Sequence, residues 1–109
     1  MQRPKPIESN FKKMAVEKPS EFIAWVNEGS MTPSGLTFAA EAVSLVKDSS
    51  IAVPCLFKLL NHAFAIVREG AVYGLEGHLN YEGVKERLNQ IAKNDPSEGV
   101  REAASEALE

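Results

Sequence analysis

The sequence predicts an all-α protein made of stacked helix pairs, an α-α superhelix. Residues 67–75, with the sequence VREGAVYGL, return thirty-three residues later as VREAASEAL at 100–108. Self-similarity at this kind of period is typical of helical repeats, because one helix pair cannot bury its apolar face alone. No segment alternates apolar and polar residues for long enough to predict a strand.

Seven short helices joined by brief connections are expected. Pro-Ser pairs occur three times, and each opens a stretch with apolar residues at helical spacing. Thr32 and Asp95 precede two of these prolines and can accept hydrogen bonds from the first free amides of a helix. Gly29 and Gly77 can adopt the left-handed conformation that ends a helix. The predicted helices are 7–17, 19–28, 33–47, 50–61, 65–77, 81–93 and 96–108.

The repeated segment defines the buried face of its helix. Apolar and small residues recur at i, i+3, i+4, i+7 and i+8, which places them on one side of a helix. Small residues in the middle of this face let neighbouring helix axes approach closely, and the preceding helices supply bulkier apolar side chains. In the two copies these positions are Val67, Gly70, Ala71, Gly74 and Leu75, then Val100, Ala103, Ala104, Ala107 and Leu108.

The composition is that of an ordinary globular domain. With 109 residues, of which 44% are hydrophobic and 25% charged, the chain is long enough for one domain with its own core. Its single cysteine, Cys55, excludes an internal disulfide and a CxxC metal motif. The first residues lack the apolar region of a signal peptide, and no apolar run has the length of a membrane span. We therefore expect a cytoplasmic protein.

Charge is distributed unevenly along the chain. The net charge is −3, but residues 1–18 carry +3 and residues 69–109 carry −5. Each repeat of a solenoid presents its own surface, so the acidic C-terminal part is a candidate surface for a basic partner. The same acidic residues also have a simpler interpretation, as a solvated surface that keeps the protein in solution.

Three motifs occur along the chain: Val53-Pro54-x-Leu56-x-x-Leu59-Leu60-x-His62, Val67-Arg68-Glu69-Gly70-Ala71 and Asp95-Pro96-Ser97-x-x-Val100-Arg101-Glu102-Ala103-Ala104. They resemble those of the HEAT repeat family, more closely its bacterial branch related to phycobilisome lyase-type repeats. The resemblance covers residues 33–109 and implies a right-handed superhelix of about three helix pairs plus an N-terminal capping helix. It implies one domain over 1–109, with a cap at 1–30 and repeat segments 31–61, 62–93 and 94–109.

The resemblance also implies a ladder of contacts between repeats. In the family, an aspartate in the turn within each pair and an arginine early in the second helix connect successive repeats. Asp95, Arg68 and Arg101 stand at these positions, which implies a structural role for them. His62 replaces the aspartate in the middle repeat, so the ladder is in question there.

Enzymes with this architecture do not fit the sequence. The metal-binding repeats of deoxyhypusine hydroxylase carry His-Glu after Val-Arg, where this chain has Glu-Gly at 69–70 and Glu-Ala at 102–103. Helical-repeat DNA glycosylases use a basic face, whereas the later repeats here are acidic. His78 is expected to bond to the last carbonyls of its own helix, and Cys55 to be a buried thiol. We expect no catalytic residue, no cofactor and no metal.

The second helices of the pairs are expected to form the binding surface, as is usual in solenoids. When the core positions of these helices are removed, an acidic strip with aromatic residues remains. We expect it to bind another protein or peptide of basic or mixed charge, as a non-catalytic scaffold, and not nucleic acid or a membrane. The predicted partner-binding residues are Phe38, Glu41, Glu69, Val72, Tyr73, Glu76, Glu102, Ser105 and Glu106.

Two alternatives to this binding function remain open. The basic residues 1–18 could contact the acidic C-terminal region of another copy and form a self-assembling structural module. The polar side of helix 81–93 is typical of a terminal repeat and favours a monomer over a homo-oligomer. The resemblance to phycobilisome lyase-type repeats also leaves open a subunit of a phycobilin lyase-like complex.

Overall fold

The computed structural model describes residues 3–109, and these residues form seven α-helices and no strand. Short 3₁₀ segments, Val43–Leu45 and Glu76–His78, extend the third and fifth helices. The predicted all-α repeat fold is confirmed, with helix boundaries within about three residues of those expected from the sequence. The helices are α1 (Glu8–Glu17), α2 (Pro19–Glu28), α3 (Pro33–Ala42), α4 (Ser49–Leu59), α5 (Ala65–Leu75), α6 (Val84–Asn94) and α7 (Glu98–Ala107).

The helices pack in two layers. In one, which we call the four-helix layer, α1 packs against α3, α3 against α5 and α5 against α7. In the other, α2 packs against α4, while α4 and α6 also pack against the second helices of their pairs, α5 and α7. The core lies between the layers, where the largest fully buried side chains are Phe11, Phe22, Leu56, Leu75 and Leu88. None of the described helices is long and apolar enough to cross a membrane.

Helix α5 lies directly on the backbone of α3 because of its glycines. A Cβ atom on Gly74 would come 2.3 Å from the Ala40 carbonyl oxygen and 2.8 Å from Cδ2 of Leu56. Real Cβ atoms essentially never come within 3.0 Å of such atoms, so only glycine permits this approach. The predicted small-residue face is therefore confirmed. The same approach recurs at two further pairs, Gly70 to the Thr37 carbonyl (2.7 Å) and Gly77 to the Ser44 carbonyl (2.3 Å).

Two glycines in the described part of the chain have left-handed backbone conformations. Gly29 ends α2 with φ of 72°, as predicted, and Gly83 precedes α6 with φ of 87°. The prediction that Gly77 ends its helix in this way is wrong, because a 3₁₀ turn continues through it. Gly77 is needed for its close contact with α3's extension, not for a positive φ.

His78 connects two repeats from inside the core. It is 4% exposed, and its Nε2 lies 3.0 Å from the Val43 carbonyl oxygen while its Nδ1 lies 2.7 Å from Ser49 Oγ. Because a carbonyl only accepts, Nε2 carries a proton, and in the neutral ring Nδ1 accepts from the serine hydroxyl. The expectation that His78 bonds to the end of its own helix is wrong, since its partners belong to α4 and to the extension of α3.

The ladder implied by the family resemblance is present between α5 and α7. Arg68 donates to the Asp95 carboxylate from Nε at 2.9 Å and from Nη2 at 3.1 Å. Arg101 donates to the Asp95 carbonyl at 2.7 Å. The same carboxylate accepts from the Ser97 amide at 2.9 Å, so it caps the turn before α7, which begins at Glu98. Asp95 thus serves both the turn and the contact between repeats.

The middle repeat has a different arrangement at the equivalent turn. Nδ1 of His62 accepts from the Phe64 amide at 3.0 Å, the same type of bond that Asp95 makes with the amide two residues on. Leu36 in α3 and Val67 in α5 are equivalent buried residues, and the residue that follows is Thr37 in α3 but Arg68 in α5. Because α3 has no arginine at this position, the turn at His62 needs no carboxylate to bind a guanidinium group. The imidazole of His62 therefore only has to accept the bond from the Phe64 amide.

Candidate functional site

The four-helix layer brings most of the predicted partner-binding residues together on one surface. Helix α3 carries Phe38 and Glu41, α5 carries Glu69 and Tyr73, and α7 carries three further residues of the set. All of these are exposed or half-buried, so each can contact a partner. The residues of this surface, which we call the acidic strip, are Phe38, Glu41, Glu69, Tyr73, Glu102, Ser105 and Glu106.

Tyr73 lies at the centre of the acidic strip. Its hydroxyl donates to Oε1 of Glu69 at 3.1 Å, one helical turn earlier in α5. Burial raises the pKa of Tyr73, and the bond to Glu69 and the nearby carboxylates of Glu106 and Glu41 raise it further. The phenol is thus surrounded by carboxylates from three helices, which all disfavour a negative charge on it.

Glu41 shows how closely these carboxylates approach one another. Burial raises the pKa of Glu41, and the charges of Glu8 and Glu69 add to the effect, while Lys12 lowers it. Neighbouring carboxylates raise the pKa of a carboxyl group when nearby positive charge does not fully compensate their negative charge. The strip is therefore a place where an additional cation would lower the electrostatic free energy.

A cleft of about 500 Å³ opens beside this cluster, and α1 forms one of its walls. Sequence reasoning missed the contribution of α1, whose Glu8 and Lys12 form an ion pair at 3.1 Å. In the sequence, the only indication of this pair is the spacing of four residues between Glu8 and Lys12, and pairs at this spacing are common on solvated helix surfaces. The larger side chains that line the cleft are Glu8, Lys12, Phe38, Glu41, Leu45 and Tyr73.

The acidic strip continues along α7. A shallower depression of about 350 Å³ lies there, lined by Glu98, Arg101, Glu102, Ser105 and Glu106. Four of these five side chains are exposed, and three are carboxylates. The surface is thus acidic from α3 across α5 to α7.

Two residues of the predicted set do not belong to the acidic strip. Val72 is completely buried, so the prediction that it faces outward is wrong. Helix α5 contacts α3 on one side, α7 on the other and α4 behind, which leaves only a narrow exposed face. Glu76 is exposed, but it lies in the 3₁₀ segment after α5 and lines neither of the two clefts described above.

A patch of exposed apolar residues at one end of the four-helix layer was also missed. Phe64 is 53% exposed and Ile66 is 51% exposed. With Pro33 and Ala65 they line a depression of about 340 Å³ where α3 and α5 begin. We call these four residues the apolar end patch. Phe64 and Ile66 lie just before the repeated segment 67–75, and their spacing in the sequence does not distinguish them from core residues.

The reactive side chains of the chain are engaged elsewhere. Burial raises the pKa of Cys55 to about 11, with Lys58 lowering it slightly, so the group is a neutral thiol near pH 7. Both ring nitrogens of His78 are hydrogen-bonded within the core. Among residues 3–109 no three His, Cys, Asp or Glu side chains are placed to hold one metal ion. The acidic strip therefore offers mainly carboxylates and aromatic rings to a partner.

A family model described as HEAT repeats matches residues 28–109 of this chain. The chain belongs to the HEAT repeat family. HEAT repeats generally mediate contacts between proteins, and the family is typically a non-catalytic scaffold. Neither the comparison with curated proteins nor the comparison with solved structures gives a match. Helix α1 and most of α2 precede the matched residues, although α1 forms a wall of the cleft beside the HEAT repeats.

Proposed function

We propose that the chain is a non-catalytic scaffold whose acidic strip binds a lysine- or arginine-containing segment of another protein. The observation that carries this proposal is the crowding of carboxylates around Tyr73. Glu41, Glu69 and Glu106 come from three different helices, and each raises the pKa of the phenol. Burial and the charges of Glu8 and Glu69 raise the pKa of Glu41, so its charged form is disfavoured in the free protein, and a bound cation would offset that cost.

The chemistry of the strip suits such a partner in two further ways. Phe38 is 44% exposed and Tyr73 is half-buried, which gives apolar rings beside the carboxylates. Aromatic rings and carboxylates together favour guanidinium and ammonium groups, through ion pairs and contact with the ring faces. The Glu8–Lys12 pair places one positive charge beside a negative one at the edge of the cleft, so a partner of mixed charge also fits.

The proposal is tested by capture of partners from a lysate of the source organism with three matched baits. The baits are the wild-type chain, a strip variant with Glu41→Gln, Glu69→Gln and Glu106→Gln, and a control with Glu21→Gln, Glu82→Gln and Glu86→Gln. Both variants lose three exposed or half-buried acids, but the control positions lie outside the four-helix layer. We expect a protein captured by the wild type and the control, lost with the strip variant, and weakened in 0.5 M salt, roughly as expected for screened charges.

Equal capture by all three baits would refute the proposal. Capture lost with both variants would also count against it, because net charge alone would then explain binding. The partner's contact segment, mapped by limited deletion, is expected to contain lysine or arginine. A contact segment without either residue contradicts the proposed chemistry.

A second candidate function, self-assembly, is favoured by the charge distribution. Residues 1–18 carry +3 and residues 69–109 carry −5, and Lys12, Lys13 and Val16 are all exposed on α1. Helix α1 of one copy could thus contact α7 of the next. Sedimentation at about 50 mM and 500 mM salt distinguishes the two functions, since screening is much stronger at the higher concentration. An oligomer that dissociates in salt supports assembly, and a monomer at both concentrations rules it out.

A further inference from the structure

We infer that the apolar end patch receives a bulky apolar side chain of the same partner segment, about 10 Å from the basic residue bound at Tyr73. This inference rests on the proposed function and adds the position and spacing of a second contact. Two half-exposed large apolar side chains, Phe64 and Ile66, lie beside Pro33 around one depression. Clustered apolar surface of this kind next to a charged groove marks an interaction site.

The patch is held rigidly by the turn from which it projects. The Phe64 amide donates to Nδ1 of His62 at 3.0 Å, and the two rings stand 5.6 Å apart. Nη1 of Arg68 donates to the carbonyl oxygens of His62 at 2.9 Å and Ala63 at 3.1 Å. Because Arg68 is itself bonded to Asp95, the backbone of the turn that carries Phe64 is held in place before any partner arrives. A preformed apolar site loses little conformational entropy on binding.

The patch and the acidic strip are continuous along α5. Ile66, Glu69 and Tyr73 occupy positions i, i+3 and i+7, which lie on one face of a helix. Seven residues of helix separate Ile66 from Tyr73 by about 10 Å. An extended segment covers this distance in about three residues, and a helical one in about seven.

The occupant we propose is therefore a segment of another protein, with a bulky apolar residue and a lysine or arginine at one of these spacings. Charge complementarity supports it, because Glu69 lies on the same face between the patch and Tyr73, and Glu41 lies close to Glu69. A polar or acidic segment would leave the patch exposed or bring like charges together. A second copy of this chain is the competing occupant, and the test below includes it.

The test uses the whole chain and a random twelve-residue peptide library displayed on phage. Selected peptides are synthesised, and their Kd is measured by fluorescence anisotropy. The patch variant carries Phe64→Ser and Ile66→Ser, and its matched control is Tyr81→Ser, an exposed aromatic after α5. The strip variant is the one defined above, with Glu41→Gln, Glu69→Gln and Glu106→Gln, and its control again carries Glu21→Gln, Glu82→Gln and Glu86→Gln. Thermal unfolding of every variant shows that it remains folded.

We expect selected peptides with a bulky apolar residue three or seven positions from a lysine or arginine. The patch variant should raise their Kd at least tenfold, and alanine in place of the peptide's apolar residue should raise it as much. When the patch variant is tested with the alanine-substituted peptide, Kd should rise no further than with either change alone, because both changes remove the same contact. The Tyr81 control should leave Kd unchanged.

The other outcomes separate this inference from the proposed function. Basic peptides that bind the patch variant as well as the wild type overturn the inference and leave the proposed function standing. Peptides indifferent to the strip variant, or no selected peptide at all, count against the proposed function itself. If the free wild-type chain sediments as a dimer and the patch variant as a monomer, a second copy occupies the patch and the inference is wrong.

Discussion

The guanidinium group of Arg68 holds the carboxylate of Asp95 in a two-pronged contact between successive repeats, with bonds of 2.9 and 3.1 Å. The two side chains are only 12% and 3% exposed. Burial raises the pKa of the Asp95 carboxyl, but the hydrogen bonds from Arg68 and the Ser97 amide outweigh it, so the pKa lies below its ordinary value. The contact therefore favours the charged carboxylate, although that group is almost fully covered.

Removing either partner of this pair is expected to destabilise the protein substantially. Asp95→Ala leaves a buried guanidinium without its partner and removes the acceptor of the Ser97 amide, so we expect a loss of about 3 kcal/mol in the free energy of unfolding. Arg68→Met should cost about 2 kcal/mol, since the carboxylate keeps its backbone bond. Urea denaturation measures both. In the double variant the losses should be less than additive.

The matched control for this pair is the exposed ion pair between Glu8 and Lys12, whose side chains are 49% and 57% exposed. Glu8→Gln should change the free energy of unfolding by less than about 0.5 kcal/mol, because water screens such pairs. Similar losses in Glu8→Gln and Asp95→Ala would show that burial does not determine the strength of the Arg68 contact.

Stability should also depend on pH through Asp95. Because the folded pKa is lower than the ordinary 3.8, the folded state binds fewer protons than the unfolded state near that pH. The stabilisation from the carboxylate is thus complete above that pH and is lost as the pH falls through the folded pKa. Urea denaturation of the wild type and Asp95→Asn should give a constant difference between about pH 7 and 5, shrinking below about pH 4. A difference that did not shrink would be inconsistent with a lowered pKa.

Replacement of glycine by alanine should have different effects on stability at Gly74, which lies at the contact of α5 with α3, and at Gly99, which lies in α7. Gly74→Ala places a methyl group 2.3 Å from the Ala40 carbonyl oxygen, so the helices must separate, and we expect a loss of about 2–4 kcal/mol. Gly99→Ala, in the first turn of α7, meets only the side-chain ends of Glu69 at 3.5 Å and Ser97 at 3.8 Å, both at ordinary contact distances. Because alanine favours helix, this variant should be unchanged or up to about 1 kcal/mol more stable. Chemical denaturation measures both, and equal losses would contradict the contact.

Glu41 should show a conflict between stability and binding. Burial and the charges of Glu8 and Glu69 raise its pKa, so its ionised form is unfavourable in the folded state. Glu41→Gln should therefore raise the melting temperature at pH 7 by a few degrees. This gain should vanish as the pH falls below the ordinary 4.5, where the wild-type carboxyl is protonated. The same variant should weaken binding of a basic segment. A lower melting temperature at pH 7 would contradict the role of charge repulsion.

The sequence repeat predicted the scaffold well because the scaffold depends on local patterns. The glycines and alanines of the repeated segment do lie at the helix contacts, and α2 and α3 begin at their prolines, α3 with Thr32 as its cap. The expected start of the last helix at Pro96 with Asp95 as its cap is wrong, because α7 begins at Glu98 after Ser97. The Arg68–Asp95 contact was implied by the family resemblance and is present. These features are set by spacing within one or two helices, which a single sequence displays directly.

The surface was harder to predict because exposure depends on how many neighbours a helix has. Val72 and Ser105 occupy equivalent positions in the two copies, but α5 lies between α3 and α7, and so Val72 is buried. In the described chain α7 has α5 on one side, and Ser105 is exposed. The difference between the copies at this position reflects burial. At the neighbouring position, where α5 has Tyr73 and α7 has Glu106, both side chains are accessible, so this exchange changes the chemistry of the surface.

The contribution of α1 could not be inferred from the repeat at all. Glu8 and Lys12 lie outside the repeated motifs, and their place in the cleft follows from the packing of α1 against α3. Likewise, the exposure of Phe64 and Ile66 depends on where the turn between α4 and α5 projects. Apolar residues at these positions have the composition of core residues, and only the tertiary arrangement leaves them in contact with water.

The polar contacts between neighbouring repeats lie at opposite ends of the helices. His78 links the C-terminal end of α5 to the extension of α3 through Val43 and to α4 through Ser49, whereas Arg68 links the N-terminal end of α5 to the turn before α7 through Asp95. Helix α5 is thus bonded to its neighbours at both of its ends, so neither end can move away without breaking an internal hydrogen bond. Because α5 carries the central residues of the acidic strip, these two contacts also fix the position of Glu69 and Tyr73 along the four-helix layer.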